Sequence, residues 1–254
     1  MIRVGVVGAG GRMGREVCRA VSADPDLELA VAIDLRAVGE AVEGVQVAGE
    51  PTALLDAGVQ VAVDFTRPDA VMATIRWTVA NAIHTVVGTT GIGPQDLEEL
   101  RAITDGAAAN VLVAPNFAIG AVLMMRFAEH AARFMPAVEI IELHHDGKLD
   151  APSGTALATA RAVVAGRGRA QGSPDPGVSE ARGADVDGVR VHSVRLPGLV
   201  AHQEVILGGQ GQTLSIRHDT TDRSSFMPGV LMAIKAIEGR RGLTVGLDAL
   251  LEDG

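Results

Sequence analysis

Short apolar runs alternate with amphipathic stretches along the first half of the chain. Ile2–Val7 is a nearly unbroken apolar run, the form of a parallel strand buried on both faces. A glycine-rich turn follows, and then helical spacing from Arg12 to Val21. Leu27–Ile33 predicts a second strand ending at Asp34, and Val59–Val63 a third ending at Asp64-Phe65-Thr66. His84–Val87 predicts a fourth, ending in Gly88-Thr89-Thr90-Gly91, and Asn110–Val113 a fifth, ending in Ala114-Pro115-Asn116-Phe117. Helices opened by Pro68 (to about Ala82) and by Pro94 separate these strands. Strand–helix alternation over residues 1–117 predicts an α/β fold with a Rossmann-type doubly wound parallel sheet.

The pattern then changes. Gly120–Met135 reads as a helix, Val138–Leu143 as a strand running into His144, and Ser153–Ala165 as a second helix. Residues 166–189 are rich in Gly, Arg, Asp and Pro without periodicity and read as a long mobile loop. Val189–Leu196, Ala201–Leu207 and Thr213–His218 are strand-like and closely spaced, which predicts an α+β domain built on a mixed sheet. A helix from Pro228 to about Glu238 and a short one near Gly246–Leu251 close the chain. The expected organisation is a dinucleotide-binding domain over 1–117 and 227–254, with a substrate-binding and oligomerisation domain over 118–226.

Composition narrows the function classes. Aromatic residues make up 2% and Tyr is absent, so stacking platforms for single-stranded nucleic acid are not expected. A formal net charge of −9 means that a phosphate or carboxylate ligand must be held by local positive charge. No leader pattern precedes Ile2 and no apolar run reaches the about 20 residues that span a bilayer, which predicts a cytoplasmic protein without membrane or nucleic-acid partners. The single cysteine, Cys18, falls in the first helical pattern and reads as a small buried hydrophobe.

Gly8-Ala9-Gly10-Gly11-Arg12-Met13-Gly14 lies between a buried strand and a helix, the setting that makes a Gly-x-Gly-x-x-Gly run informative. Gly8 permits the tight turn, Gly10 allows close approach of a pyrophosphate, and Gly14 allows helix and strand to pack closely. Asp34 ends the next strand, where its carboxylate can accept from an adenosine ribose. Asp34 favours NADH; Arg36 beside it and Arg12 in the loop could pair with the 2′-phosphate of NADPH, so both cofactors are expected. The turns holding Phe65, Gly88, Thr89 and Thr90 end strands of the same sheet and are candidates for holding the nicotinamide, with Ala114, Pro115, Asn116 and Phe117 on the far side.

A second chemical cluster occupies residues 142–156. His144 can deliver a proton near neutral pH, and Lys148 adds a cation where negative charge would develop. Adjacent residues on a strand face opposite sides, so His144 and His145 are not equivalent. Ser153, Gly154 and Thr155 begin a helix whose free N–H groups suit a carboxylate. No Cys/His/Asp set has metal-ligand spacing, so no metal is expected.

The run Glu142-Leu143-His144-His145-x-x-Lys148-x-Asp150-Ala151-Pro152-Ser153-Gly154-Thr155-Ala156 resembles the signature of the dihydrodipicolinate reductase family, enzymes of the diaminopimelate route to lysine. The similarity extends over essentially the whole chain, through the glycine turn, Asp64-Phe65-Thr66, Gly88-Thr89-Thr90-Gly91 and Ala114-Pro115-Asn116-Phe117. It implies NAD(P)H-dependent reduction of 4-hydroxy-tetrahydrodipicolinate, a cyclic imine dicarboxylate, after loss of water. It implies His144 as the acid/base residue and Lys148 as a second catalytic group, with His145, Gly154 and Thr155 binding substrate. It also implies NAD(P)H binding by Gly8 to Met13, Asp34, Gly88 to Thr90 and Ala114 to Phe117. A homotetramer assembled through the second domain's sheets, and two domains that close over the ligands, follow from the same resemblance. Some members carry Glu-Arg where this chain has Asp34-Leu35-Arg36, which leaves the NADPH contact open. Another two-domain dehydrogenase of a small amino acid, such as aspartate or homoserine, would share the first domain without needing the His-His-x-x-Lys segment. A non-enzymatic nucleotide sensor would lack a complete proton donor and call for a basic DNA-binding helix, which the sequence does not contain.

Overall fold

The apolar runs become strands and the amphipathic stretches pack over them. The computed structural model describes residues 1–168 and 180–251. β1 (Ile2–Val7) has parallel neighbours on both edges, and its Val4 and Val6 are fully buried. α1 (Arg12–Ala23) turns Gly14, Val17, Cys18 and Val21 inward, the i, i+3, i+4, i+7 face of an amphipathic helix. Burial, with Glu43 adding to it, pushes the Cys18 thiol up to about 12, so it packs as a small apolar group.

The chain continues through β2 (Leu27–Ile33), β3 (Ala41–Val42), β4 (Val45–Ala48), α2 (Ala53–Asp56), β5 (Val61–Asp64), α3 (Val71–Ala80), β6 (His84–Val87), α4 (Pro94–Thr104) and β7 (Val111–Val113). α4 starts where its sequence signals a start: Pro94 opens it and the Asp96 carboxylate accepts from the Gly93 N–H at 2.8 Å. Next come α5 (Ile119–Ala132), β8 (Ala137–His144), α6 (Gly154–Arg167), β9 (Ala184–Val186), β10 (Val189–Arg195), β11 (Ala201–Gly209) and β12 (Gln212–Thr220). α7 (Met227–Ala236), β13 (Leu243–Val245) and α8 (Asp248–Leu251) end the described chain.

Two compact units result, Met1–Phe117 with Phe226–Gly254 and Ala118–Ser225. The first holds an eight-stranded sheet in the order β13-β7-β6-β5-β1-β2-β4-β3, parallel except for the β3–β4 pair. The strand order reverses at β1, the switch point beyond which such sheets bind ligands. The C-terminal segment is tied back by β13 pairing with β7 and by Asn110, which donates to the Ile237 carbonyl and accepts from the Gly242 N–H. The second unit has a five-stranded sheet, β12-β11-β8-β10-β9, in which β8 and β10 are parallel and the other pairs antiparallel. Val138, Ile140, Val191, Val205 and Leu207 of its strands join Met124, Ala128, Ala160 and Val163 of α5 and α6 in one core.

Several local expectations change. Residues 35–58, which carry no predicted element, form the β3–β4 hairpin and α2; the hairpin turns at Glu43-Gly44, both with positive φ. β13 replaces part of the irregular C-terminal stretch, and the last helix begins at Asp248 instead of Gly246. The long loop read over 166–189 is interrupted: α6 runs to Arg167, a 3-10 turn covers Glu180–Arg182 and β9 follows at the sheet edge. The remainder of that stretch, 169–179, lies outside the described residues. α3 begins at Val71, three residues beyond Pro68. No helix among the described residues is long and apolar enough to cross a membrane.

Candidate active site

In the first unit, the glycine turn is shaped by what a side chain would hit. Gly8 has φ +86°, and a Cβ there would lie 2.6 Å from the Phe65 carbonyl oxygen. Gly14 packs its bare Cα against the turn: a Cβ would lie 2.0 Å from the Gly8 carbonyl oxygen. The Gly10 N–H donates to Asp34 Oδ2 at 3.0 Å, and the Arg36 N–H donates to Asp34 Oδ1 at 2.8 Å. A single carboxylate therefore pins the turn to the end of β2. α1 begins after Gly11 with no side-chain cap, so its first N–H groups are available to an anion. Arg12 and Arg36 are both exposed beside this turn, and Met13 is half-buried.

The ends of β5, β6 and β7 converge on the same edge of this sheet. The Phe65 and Phe117 rings are tilted against each other with centroids 6.0 Å apart. Gly88 lies against Phe65, because a Cβ at Gly88 would be 2.2 Å from the ring. Thr89 is buried and its hydroxyl donates to Asp64 Oδ1 at 2.7 Å, whereas Thr90 is exposed. Ala114 and Phe117 are buried, Asn116 is half-buried and Pro115 exposed. Asp64, for which the sequence suggests no separate role, is fully buried: Oδ1 also accepts from the Thr66 N–H and hydroxyl, while Oδ2 has no partner among the described residues. A strand-end cradle without side chains, an uncapped helix start and an acid at the end of β2 fit a dinucleotide.

In the second unit, His144 is the last residue of β8, and His145 already lies outside the strand and is exposed. The doublet is thus split by the end of the strand rather than by its pleat. His144 Nδ1 lies 2.5 Å from Glu142 Oε2, two positions back on the same face of the strand. Glu142 has no exposed surface, and it also accepts a forked pair from Arg195, at 2.9 and 2.8 Å, and the Ser153 N–H at 3.2 Å. Burial favours the neutral Glu142 carboxyl, but the hydrogen bonds from Arg195, Ser193 and His144 outweigh it and hold the group below its usual range. Burial likewise lowers His144; Glu142 opposes that shift, while Lys148 and Arg195 add to it.

Lys148 is not a bare cation. Its Nζ contacts both oxygens of Asp150, at 2.7 and 2.9 Å. Ser153 caps α6, its hydroxyl accepting from the Ala156 N–H at 3.2 Å, so that side chain is committed to the helix. Gly154 leaves open space where a Cβ would stand. Thr155 follows it in the first turn of α6. His144, Lys148 and the Ser153 N–H are joined through Glu142, Asp150 and Arg195; the sequence assigns these last three no function. β8 carries two glutamates, Glu139 and Glu142, and only Glu142 is fully buried, so the sequence does not single it out. Nothing local marks Arg195, which reaches Glu142 only because β10 pairs with β8 in parallel and sets Arg195 opposite His144. Among the described residues, no group of three or more His, Cys, Asp or Glu side chains is arranged to hold a metal ion.

Comparison with known proteins places the chain in a family. Residues 2–117 match the family model for dihydrodipicolinate reductase, N-terminus, and residues 120–251 the model for its C-terminus. The 4-hydroxy-tetrahydrodipicolinate reductase of Nocardia farcinica is 55% identical over 257 residues, covering 99% of each chain. That of Mycolicibacterium smegmatis is 49% identical over 256 residues, also covering 99% of each. Among solved structures, a dipicolinate-bound dihydrodipicolinate reductase from a Paenisporosarcina species superposes with a TM-score of 0.88 at 40% identity, over 98% of this chain and 99% of that one. An amine dehydrogenase from Mycobacterium smegmatis, at 15% identity and a TM-score of 0.69 over 97% of this chain and 95% of that one, shares the fold. With both halves of the chain matched and identity this high along its length, the protein belongs to the dihydrodipicolinate reductase family.

Proposed function

We propose that the protein reduces 4-hydroxy-tetrahydrodipicolinate to tetrahydrodipicolinate with NADH or NADPH, in the diaminopimelate route to lysine. The observation that carries this reading is the His144–Glu142 pair beside Lys148 and the open start of α6, in a chain whose other unit is a dinucleotide fold. Gly8, Gly10, Gly11, Arg12, Met13 and Gly14 would hold the pyrophosphate, and Asp34 the adenosine ribose. Arg36 would lie by that ribose, and Phe65, Gly88 to Thr90 and Ala114 to Phe117 by the nicotinamide. Bound there, the dinucleotide supplies a hydride.

The remaining chemistry belongs to the chain's own side chains. After the 4-hydroxyl group has left as water, addition of hydride to the conjugated ring puts negative charge on the enamine system. His144 delivers the balancing proton, and Lys148 stabilises the charge as it develops. The Lys148–Asp150 pair must open, or share its proton donors, for the ammonium to meet the substrate. His145, Gly154 and Thr155 bind a ring carboxylate, with the Ser153 cap fixing the helix start. Lys148→Ala is expected to lower kcat/KM by about 10²-fold; an unchanged value would remove Lys148 from the mechanism.

The alternate residues of the second sheet, including Ile141, Leu143, Val194 and Ile206, face away from the core under α5 and α6, and we assign assembly of a homotetramer to that face. Light scattering at the mass of a single chain would contradict this. The proteins of this route work on soluble metabolites, and the cytoplasm is the assigned location. A substrate panel followed by nicotinamide absorbance separates this function from its nearest rival. Activity with 4-hydroxy-tetrahydrodipicolinate and none with aspartate or homoserine is the expected result; the reverse would make the protein an amino-acid dehydrogenase.

A further inference from the structure

A fully buried carboxylate ties together the parts of the second unit that carry the chemistry. Glu142 Oε2 meets His144 Nδ1 at 2.5 Å and one Arg195 nitrogen at 2.9 Å; Oε1 meets the other Arg195 nitrogen at 2.8 Å and the Ser153 N–H at 3.2 Å. Both oxygens are therefore saturated with donors, and a carboxylate in that setting accepts only. The neutral imidazole must then carry its proton on Nδ1, because that nitrogen faces an ionised oxygen. Nε2 has no hydrogen bond among the described residues. Arg195 reaches further: the same nitrogen that bonds Oε1 donates to the Asp150 carbonyl at 2.7 Å, and Asp150 is the partner of Lys148.

We infer that Glu142, kept ionised by the fork of Arg195, is a positioning residue that holds His144 with Nδ1 protonated and reserves Nε2 for the transferred proton. Arg195 is its counterpart, fixing the Lys148 turn to the same anchor. The pair makes catalytic sense only if His144 is the proton donor, so its kinetic meaning rests on the function proposed above. Its structural content does not, because the tautomer of His144 is observable without substrate.

The groups around His144 decide the sign of the effect. Glu142 lies on its own strand, Arg195 comes from β10, Lys148 from the following turn with Asp150 beside it, and the β11 residue opposite His144 is the neutral Ala201. Burial, Lys148 and Arg195 all disfavour the imidazolium, and Glu142 is the one group here that favours it. Replacing Glu142 by the isosteric amide removes that support and lowers the His144 pKa further.

Magic-angle-spinning ¹⁵N NMR of the full-length enzyme labelled in histidine tests this, with the His144 signals assigned by their loss in H144Q. In the wild type, neutral His144 is expected as the Nδ1–H tautomer. In E142Q the Nδ1–H tautomer is lost or mixed, the titration moves to lower pH, and kcat falls about 10²-fold while NADH affinity is retained. Arg195→Lys, which keeps the charge but not the fork, should give a smaller loss in kcat and a broadened His144 signal. A wild-type His144 protonated on Nε2 overturns the inference, as does an E142Q enzyme with unchanged tautomer and titration. If E142Q fails to fold, the wild-type tautomer alone decides. Normal turnover in H144Q with the Nδ1–H tautomer present would instead sink the proposed function and leave the Glu142 geometry standing.

Discussion

His144→Gln is expected to lower turnover by about 10²–10⁴-fold, the range that a positioned general acid contributes, with NADH affinity unchanged. Gln keeps the polarity and much of the shape of the imidazole, and it can still donate to Glu142, so the fold of the second unit should persist. It has no group that releases a proton near neutral pH. The pH dependence sharpens the expectation. Burial holds the His144 pKa below the ordinary imidazole range in the free protein. Its acid form is therefore lost, and kcat/KM with it, as pH rises through a value lower than that of a free histidine. The variant should lack that limb. Two carboxylates on a bound substrate raise the same pKa, so the corresponding limb in kcat should lie at higher pH. A variant with wild-type turnover, or with the same limb, would remove His144 from the proton step.

Gly14→Ala is expected to be more disruptive than its size suggests. Gly14 sits in the first turn of α1, where helix propensity alone favours Ala by about 1 kcal/mol. Sterics oppose it: the added Cβ would stand 2.0 Å from the Gly8 carbonyl oxygen, 2.7 Å from its carbon and 2.8 Å from the Ala9 Cα. All three are backbone atoms, so no side chain can rotate away. The helix must move off the turn, and overpacking of this kind costs about 1–3 kcal/mol, which outweighs the gain in propensity. Moving α1 off the turn also misplaces the uncapped N–H groups of its first turn, which are offered to the pyrophosphate, and a misplacement of about 1 Å can cost about 10²-fold. The Kd for NADH by fluorescence titration should rise by that order. An affinity equal to wild type would mean that the turn does not hold the dinucleotide.

The two variants probe features of unequal legibility. The glycine turn, β1, α1, β2 and Asp34 are readable because they are contiguous: a buried run, a turn and an amphipathic helix each have a local period. The His144–Thr155 segment is readable for the same reason. The β3–β4 hairpin and β13 are not: they lie at the two edges of the sheet and are only partly buried, so they lack the apolar run that marks the equally short β5, β6 and β7. Glu142 is only half legible: β8 also carries Glu139, and the alternation of the strand shows that the two face opposite sides without saying which one is buried. Arg195 was not legible at all. Its place opposite His144 depends on the parallel register of β8 and β10, a long-range pairing that no window of sequence contains. The pairing of Lys148 with Asp150 modifies the simple picture of a free cation waiting for substrate, and it too appears only once the turn is folded.

The most direct test of the account is a coupled assay in which 4-hydroxy-tetrahydrodipicolinate is generated in situ and the folded enzyme is supplied separately with NADH and with NADPH. Oxidation of both dinucleotides that depends on substrate and enzyme, and falls to near background with H144Q, is the predicted result. No oxidation of either would contradict it.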